Sequence, residues 1–238
     1  MLQQTPVNRV LPIWHEWISR WPTPADLASA KRSDVIKAWG RLGYPRRAIR
    51  LHESAKVISS QFNNELPHTY EELITLPGVG EYTASAILAF AFAQSPLVLD
   101  INIRRFYSRF FDGEQYPSSS PSLVERELRR QLIPTLNGDK WAAATMEFGA
   151  LMCTSKSPKC ELCFLSHECA WRAAGYPEQE RKRQAKFEGS DRQCRGTIMK
   201  ELRATEKVSK TALLKLWPDK GQVEKALETL IADGLIET

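Results

Sequence analysis

Several features of common protein classes are missing from the sequence. Its 238 residues contain no apolar run near the roughly 20 residues that a membrane-spanning helix requires. No signal-peptide pattern precedes the first charged residues. No segment alternates polar and apolar residues as a half-buried strand does, and no internal repeat is present. We therefore expect an all-α protein that lies in the cytoplasm and has no membrane partner.

Neither charge sign is in large excess, and cysteine is scarce. The sequence has 33 lysine and arginine residues against 28 acidic residues, a net charge of +5. This balance mildly favours a polyanionic partner. Four of the five cysteines lie close together. An odd number of cysteines in this arrangement argues against a secreted disulfide framework and for a metal or cluster site.

Apolar residues recur at helical spacing along most of the chain. One series near the start predicts core positions on a first helix: Val10, Trp14, Trp17, Ile18 and Trp21. Capping signals predict helix starts at Thr23 with Pro24, at Ser33, and at Thr69 with Glu72. Further predicted helices are residues 45–62, 70–75, 81–92, 101–111, 122–133 and 139–152.

Two breaks in composition divide the chain. Residues 112–122 are rich in serine, proline and glycine, and residues 177–190 are charged and lack apolar periodicity. We predict a helical module over 1–120, a second helical region over 121–176, a linker over 177–190 and a small module over 191–238. The last module has three helical patterns and ends in GLIET. It is either winged-helix-like, with a short final strand, or a plain three-helix appendage.

The stretch LPGVG at residues 76–80 places two glycines directly before a long apolar helix. Unpaired backbone N–H groups at such a helix start bind anions, so Gly78, Val79 and Gly80 would suit a nucleic-acid phosphate. A tight corner between two helices, with glycine used only for its backbone freedom, explains the spacing equally well.

Four cysteines within 17 positions form the second motif. Cys153, Cys160, Cys163 and Cys169 are separated by six, two and five residues. Four thiolates can enclose a zinc ion or a cubane iron–sulfur cluster, although zinc sites usually have two CxxC pairs and this chain has one. His167 fits a solvated loop residue, and Cys194, outside the motif, fits a small buried side chain.

These motifs resemble those of the helix-hairpin-helix DNA glycosylases, the superfamily that includes endonuclease III and the MutY adenine glycosylases. The resemblance rests on LPGVG with its flanking helices, on VLDINIRRF and on the cysteine spacing, and it extends from Met1 to about Ala174. It implies the helix-hairpin-helix glycosylase fold. It also implies a [4Fe-4S] cluster held by the four cysteines, and double-stranded DNA as the partner.

The resemblance also implies which residues carry the chemistry. Asp100 matches the aspartate at the mouth of the family's base pocket, where a carboxylate stabilises the positive charge that builds on the sugar. A helix N-cap is the other common role of aspartate, and both roles can hold together. Asn102 matches an asparagine that holds the carboxylate or the water, and Ile101 between them departs from the family's usual residue. Tyr82 stands where bifunctional members carry a Schiff-base lysine, so a monofunctional enzyme is implied.

Two further segments match residues that contact DNA in the MutY enzymes. Tyr44 matches a tyrosine that wedges into the base stack, although an aromatic residue at a turn between helices is the plainer interpretation. Gln4 and Thr5 match residues that touch the opposite-strand guanine. The family's general-acid glutamate would fall upstream of Met1. We therefore expect Met1 to be an internal methionine of a longer reading frame; the alternative is a degenerate DNA-binding paralogue.

The sequence thus predicts a monomeric glycosylase that hydrolyses the N-glycosidic bond of adenine mispaired with 8-oxoguanine or guanine. It is expected in the cytoplasm, associated with the nucleoid if the source is a bacterium. Two alternatives stay open: a catalytically impaired DNA-binding iron–sulfur protein, and a glycosylase for uracil or thymine mismatches.

Overall fold

The computed structural model describes residues 1–2, 5–180, 186–205 and 207–237. These residues contain helices and no strand, which confirms the all-α prediction. No helix among them is both long and apolar enough to cross a membrane. The chain forms two compact units. The first unit comprises Met1–Leu66 and Arg183–Thr238, and the second unit comprises Pro67–Lys182.

The α-helices are numbered in chain order. They are α1 (Val7–Arg20), α2 (Pro24–Ser29), α3 (Arg32–Trp39), α4 (Arg46–Gln61), α5 (Tyr70–Leu73), α6 (Glu81–Phe92), α7 (Ile101–Tyr107), α8 (Leu123–Arg130), α9 (Gly138–Leu151), α10 (Ala170–Ala173), α11 (Asp191–Ala204), α12 (Lys210–Leu213) and α13 (Lys220–Ala232). Helices α1–α4 and α11–α13 belong to the first unit, and α5–α10 belong to the second.

Local capping fixes several helix starts. The Thr23 side chain accepts the backbone N–H of Asp26, and the Asp26 carboxylate accepts the N–H of Thr23, which completes a capping box before α2. Thr69 caps α5 through its hydroxyl. These two predicted starts are confirmed. The predicted start at Ser33 is wrong, because α3 begins at Arg32 and Ser33 lies inside its first turn.

One core of the first unit lies among α1–α4. Trp17 is buried and packs edge-on against Trp39, with 5.6 Å between ring centroids, and against Trp21 at 5.0 Å. The predicted core positions of Trp14 and Ile18 are wrong, since these side chains are 45% and 47% exposed. They lie about 60° and 100° around the helix from Trp17, at the edge of the buried stripe and beyond it.

The C-terminal helices α11–α13 share a core with α3 and α4. Ile36 and Ile49 pack in one cluster with Cys194, Ile198 and Leu230. Cys194 is fully buried, as predicted. Residues 207–237 contain no strand, so these helices form a three-helix arrangement. The four-segment division stays a prediction, and its linker includes residues 181–185, which lie outside the described part of the chain.

His52 on α4 is a buried titratable group in the first unit, 2% exposed. Burial lowers the pKa of its imidazole below the ordinary value, and the positive charges of Lys56 and Arg32 lower it further. The carbonyls of Ala28 and Ala30 act in the opposite direction. Because the folded-state pKa of His52 lies below its unfolded-state pKa, the unfolded chain binds a proton at pH values between the two at which the folded chain does not.

Stability should therefore fall as the pH drops below about 6.5, the ordinary pKa of histidine, with a slope of at most about 1.4 kcal/mol per pH unit from this group. The substitution His52→Gln is expected to flatten that decline. Urea unfolding at pH 7.5, 6.5 and 5.5 measures it. His15→Gln, at an exposed position on α1, is the control and should leave the decline unchanged. An equal decline in the His52→Gln variant would contradict the assignment.

The core of the second unit forms where α7 packs on α9. Ile103, Phe106 and Tyr107 of α7 lie in one buried cluster with Ala142 of α9. The helix predicted over 101–111 is confirmed in position. It is α-helical over Ile101–Tyr107 and continues as a π-helix over Ser108–Asp112. That wider turn carries a buried arginine, described below.

Candidate active site

The hairpin between α5 and α6 has an open approach to the first turn of α6. Gly78 has a φ of +81°, a left-handed conformation that favours glycine. The N–H of Val79 donates to the carbonyl of Leu76 at 3.0 Å, which closes the turn. Gly80 is the N-cap of α6, and a Cβ there would meet no atom within 4 Å. A phosphate group could therefore approach the helix start without obstruction.

Asp100 is both the N-cap of α7 and the acceptor of a side-chain hydrogen bond. Its Oδ1 accepts the backbone N–H of Ile103 at 2.7 Å, and its Oδ2 accepts the Asn102 Nδ2 at 2.8 Å. Both oxygens are thus held in place, and the two roles that the sequence left open for Asp100 are geometrically compatible.

The electrostatics of Asp100 and Tyr82 are linked. Partial burial raises the pKa of the Asp100 carboxyl, and the hydrogen bonds from Ile103 and Asn102 and the charge of Arg105 oppose that rise. Burial also raises the pKa of Tyr82, and the negative charge of Asp100 raises it further. A partly desolvated carboxylate interacts strongly with any cation brought to it, because little water screens the charge.

A buried arginine, which the sequence analysis missed, links this carboxylate to the cysteine loop. Arg105 donates to the Asn102 Oδ1 at 3.0 Å through Nη2, and to the Cys153 carbonyl at 2.9 Å through Nε. It also donates to the Gly149 carbonyl. Asn102 therefore uses one end of its amide for Asp100 and the other for Arg105. The signal in the sequence was a pair of arginines in the otherwise largely apolar helix INIRRFY.

Helices α7 and α9 approach closely at this point, and glycine permits it. A Cβ on Gly149 would lie 2.4 Å from the Asn102 carbonyl oxygen and 2.7 Å from its carbon. No side chain fits there without moving one of the two helices. Gly149 thus sets the position of the first turn of α7, where Asp100 and Asn102 lie.

The four motif cysteines line one pocket. Its other walls are mainly apolar and include Phe106, Phe148 and Trp171. Among the described residues, no three His, Cys, Asp or Glu side chains are grouped to hold a single metal ion. Zinc requires its sulfurs within about 2.3 Å of one ion. A cubane cluster is itself several ångströms across, so cysteines around a common pocket fit the cluster better than they fit zinc.

Arg109, in the π-helical segment, holds the backbone of the cysteine loop. It is 1% exposed and donates to the carbonyls of Thr154 at 2.8 Å and Ser155 at 3.2 Å. Its guanidinium stacks on Trp171, 4.6 Å from the ring centroid, and Nη1 lies 3.5 Å from the Cys153 Sγ. The sequence analysis did not identify this residue, because its partners in the cysteine loop, the Thr154 and Ser155 carbonyls, lie 45 and 46 positions away.

The turn that carries Tyr44, in the first unit, is tightly held. Tyr44 has a φ of +47° and is 53% exposed, with the Arg47 guanidinium 4.5 Å from its ring centroid. The indole of Trp39 donates to the Gly43 carbonyl at 2.9 Å. The buried hydroxyl of Thr5 donates to the Leu42 carbonyl at 3.2 Å. The Tyr44 backbone is therefore held in a left-handed conformation that presents an exposed aromatic side chain.

The predicted site residues thus divide between the units. Tyr82, Asp100 and Asn102 lie in the second unit, where Asp100 and Asn102 are hydrogen-bonded, and Tyr44 and Thr5 lie in the first. Gln4 lies outside the described residues. The DNA contact predicted for Thr5 stays a prediction, and its side chain is buried here.

Comparison with known proteins finds two families that match different parts of the chain. Residues 1–134 match the HhH-GPD superfamily of base excision DNA repair proteins. Residues 153–169 match the iron–sulfur binding domain of endonuclease III. The predicted [4Fe-4S] cofactor is thereby confirmed, and the zinc alternative is set aside.

Relatives that match most or all of the chain are described as adenine DNA glycosylases. The chain is 45% identical over 240 residues to the adenine DNA glycosylase of Mycolicibacterium smegmatis. The match covers 100% of this chain and 81% of the relative. It is 45% identical over 243 residues to that of Mycobacterium tuberculosis, with 99% and 79% covered. The human adenine DNA glycosylase is 39% identical over 184 residues, with 76% of this chain and 33% of the relative covered.

Solved structures agree on the fold. A thermostable thymine-DNA glycosylase superposes with a TM-score of 0.67 at 27% identity, over 73% of this chain and 80% of that one. An endonuclease III trapped in a covalent complex with DNA gives a TM-score of 0.64 at 23% identity, over 73% and 81%. The chain therefore belongs to the helix-hairpin-helix superfamily of base-excision DNA repair proteins, and within it to the adenine DNA glycosylases.

Proposed function

We propose that this protein hydrolyses the N-glycosidic bond of adenine mispaired with 8-oxoguanine or guanine in duplex DNA, and leaves an abasic site. The observation that carries the proposal is the fixed, partly desolvated carboxylate of Asp100 at the start of α7. Whole-chain similarity to the mycobacterial enzymes supports adenine as the base.

In this mechanism, the bond between C1′ of the sugar and the adenine nitrogen breaks, and water then adds to C1′ and gives up a proton. The departing adenine takes the bonding electron pair and a proton. The sugar is briefly cationic, and the Asp100 carboxylate stabilises that charge. Asn102 holds the Asp100 Oδ2 at 2.8 Å, so the carboxylate needs little reorganisation during the reaction.

The residue at position 82 supports a monofunctional enzyme. A lysine there would supply an amine to attack the sugar and form an imine. Tyr82 has a phenol and no amine, so it cannot form an imine. Burial and the charge of Asp100 raise its pKa, which keeps the phenol neutral. We propose that it lines the sugar side of the base pocket beside Asp100.

DNA binding would use residues of both units. The hairpin amides at Gly78, Val79 and Gly80 would contact a phosphate, because the helix start is unobstructed. Tyr44 would stack between bases, which offsets part of the few kcal/mol that extrusion of a base costs. Gln4 and Thr5 would contact the opposite strand. We propose a monomer that works in the cytoplasm at the nucleoid.

Cys153, Cys160, Cys163 and Cys169 would hold the cluster. When bound, the cluster supplies a rigid cross-link of the loop rather than a reactant. Arg105 and Arg109 connect that loop to α7 through the carbonyls of residues 149–155, so an ordered loop keeps Asn102 and Asp100 in place.

A substrate panel tests the proposal. The protein, expressed from its natural reading frame, is incubated with duplexes that carry adenine, uracil or thymine opposite guanine or 8-oxoguanine, and strand scission after alkali reports abasic sites. Only the adenine duplexes should be cleaved. Release of thymine or uracil instead would favour the mismatch alternative, which the similarity to the thymine-DNA glycosylase makes relevant. Binding without release of any base would indicate a non-catalytic DNA-binding protein.

A further inference from the structure

The turn that carries Tyr44 offers three successive backbone carbonyls, at residues 41, 42 and 43, and a side chain donates to each of them. The Arg9 guanidinium donates to the first carbonyl through Nη2. The Thr5 hydroxyl donates to the second at 3.2 Å, and the Trp39 indole donates to the third at 2.9 Å. Arg9 lies on α1 and Trp39 is the last residue of α3, so separate parts of the first unit meet at this turn.

Tyr44 itself has a backbone conformation that needs such support. Its φ of +47° is unfavourable for a tyrosine and persists only where the surrounding structure fixes it. The chain is held on the following side too, because the N–H of Arg47 donates to the Tyr44 carbonyl at 2.9 Å. The ring of Tyr44 is nevertheless 53% exposed. A strained backbone that is fixed at four successive carbonyls therefore carries a side chain that points away from the core.

Arg9 differs from the other two donors in its surroundings. Thr5 and Trp39 are 6% and 1% exposed, so a substitution at either position would disturb the packing around α1 and α3. Arg9 is exposed on α1, and no carboxylate among the described residues forms a salt bridge with it. Loss of its guanidinium therefore removes the bond to the Arg41 carbonyl and leaves the core intact.

We propose that Arg9 is a positioning residue for Tyr44. By holding the Arg41 carbonyl from α1, it keeps the turn in the conformation in which the Tyr44 ring enters the base stack. A ring that is already oriented loses less conformational freedom when it inserts, so more of its stacking energy is left to offset the extrusion of the base. The inference rests on the proposed function, because the insertion of Tyr44 is itself part of that proposal.

The substitution Arg9→Met, made in the protein expressed from its natural reading frame, tests this role. Single-turnover release of adenine from an adenine:8-oxoguanine duplex should slow roughly 2–10-fold, the change that corresponds to one hydrogen bond. In a Tyr44→Ala background the same substitution should cause no further loss, because no ring is left to position. Lys37→Met, at an exposed position of α3, removes the same charge from the same unit and should leave both rates unchanged.

A fluorescent base reports the insertion without any chemistry. The duplex carries 2-aminopurine next to 8-oxoguanine, and a tetrahydrofuran replaces the target nucleoside. Saturating wild-type protein should raise the fluorescence, because the inserted ring unstacks the neighbouring base, and Tyr44→Ala should abolish the rise. Arg9→Met should reduce the rise, and Lys37→Met should not. Wild-type rate and fluorescence in Arg9→Met would overturn the proposal. An equal loss of rate in the presence and absence of Tyr44 would also overturn it, since Arg9 would then act on the DNA or on the fold as a whole.

The proposed function fails separately from this inference. If wild-type protein releases adenine and Arg9→Met matches it in rate and fluorescence, the positioning role is wrong and the activity stands. If the fluorescence rise depends on both Tyr44 and Arg9 but wild-type protein releases no base, the positioning role stands and the activity is wrong.

Discussion

The substitution Asp100→Asn is expected to slow adenine release from an adenine:8-oxoguanine duplex by roughly 10²–10³-fold, the usual effect of removing one charge-stabilising group from an active site. Asparagine retains an oxygen that accepts the Ile103 N–H and therefore keeps the start of α7. What it lacks is the negative charge. Single-turnover kinetics with enzyme in excess measure the chemical step directly, without product release.

The same substitution has two opposing effects on the stability of the fold. Burial raises the pKa of Asp100, so the ionised carboxyl is disfavoured in the folded state at neutral pH. Its unfavourable contribution appears as the pH rises above the unfolded-state pKa of about 3.9. Asp100→Asn removes that contribution but also turns the acceptor of the Asn102 Nδ2 into a second donor, a loss of about 1–3 kcal/mol. The two effects oppose each other, so the change in the free energy of unfolding should be small beside the loss of rate. Asp139→Asn, in the first turn of α9, is the matched control and should leave adenine release unchanged. Full activity of Asp100→Asn would eliminate the carboxylate from the mechanism.

The substitution Gly149→Ala is expected to damage both stability and activity, although it adds a single methyl group. The new Cβ would lie 2.4 Å from the Asn102 carbonyl oxygen, so α7 and α9 must separate. Overpacking of this kind costs about 1–3 kcal/mol. A displacement near 1 Å at a catalytic group can slow the reaction by about 10²-fold. Denaturant unfolding and single-turnover adenine release measure the two effects.

Gly196→Ala is the control for Gly149→Ala and should have the opposite sign. Gly196 lies within α11, and a Cβ there would meet no atom within 4 Å. Alanine in an unobstructed helical position stabilises a helix by about 0.5–1 kcal/mol relative to glycine. Equal stability and equal rates for Gly149→Ala and wild type would show that α7 and α9 do not approach as described.

Features that depend on neighbours in the sequence were the predictable ones. Helix α6 extends over Glu81–Phe92, as predicted, because its glycine entry and apolar pattern are local. The cap at Thr69 and the position of Asp100 at the start of α7 follow from residues three positions away. The family resemblance added the chemical roles, which spacing alone did not provide.

Features that depend on distant partners could not be predicted. Arg105 and Arg109 donate to carbonyls 44–48 residues later, which satisfies their buried N–H groups, and periodicity does not indicate which arginines have such partners. Trp14 has the apolar character of a core residue, yet its angle around α1 leaves it exposed. The packing of α11 against α3 and α4 joins residues about 150 positions apart, a relation that no local pattern encodes.

The central claim is that the Asp100 carboxylate stabilises a cationic sugar. The most direct measurement compares duplexes that carry, opposite 8-oxoguanine, either a cationic pyrrolidine or a neutral tetrahydrofuran in place of the target nucleoside. Wild-type protein should bind the cationic duplex about 10–10³-fold more tightly, the range that one opposite charge produces in a partly buried site, and Asp100→Asn should lose that preference. An equal preference in both proteins would contradict the account.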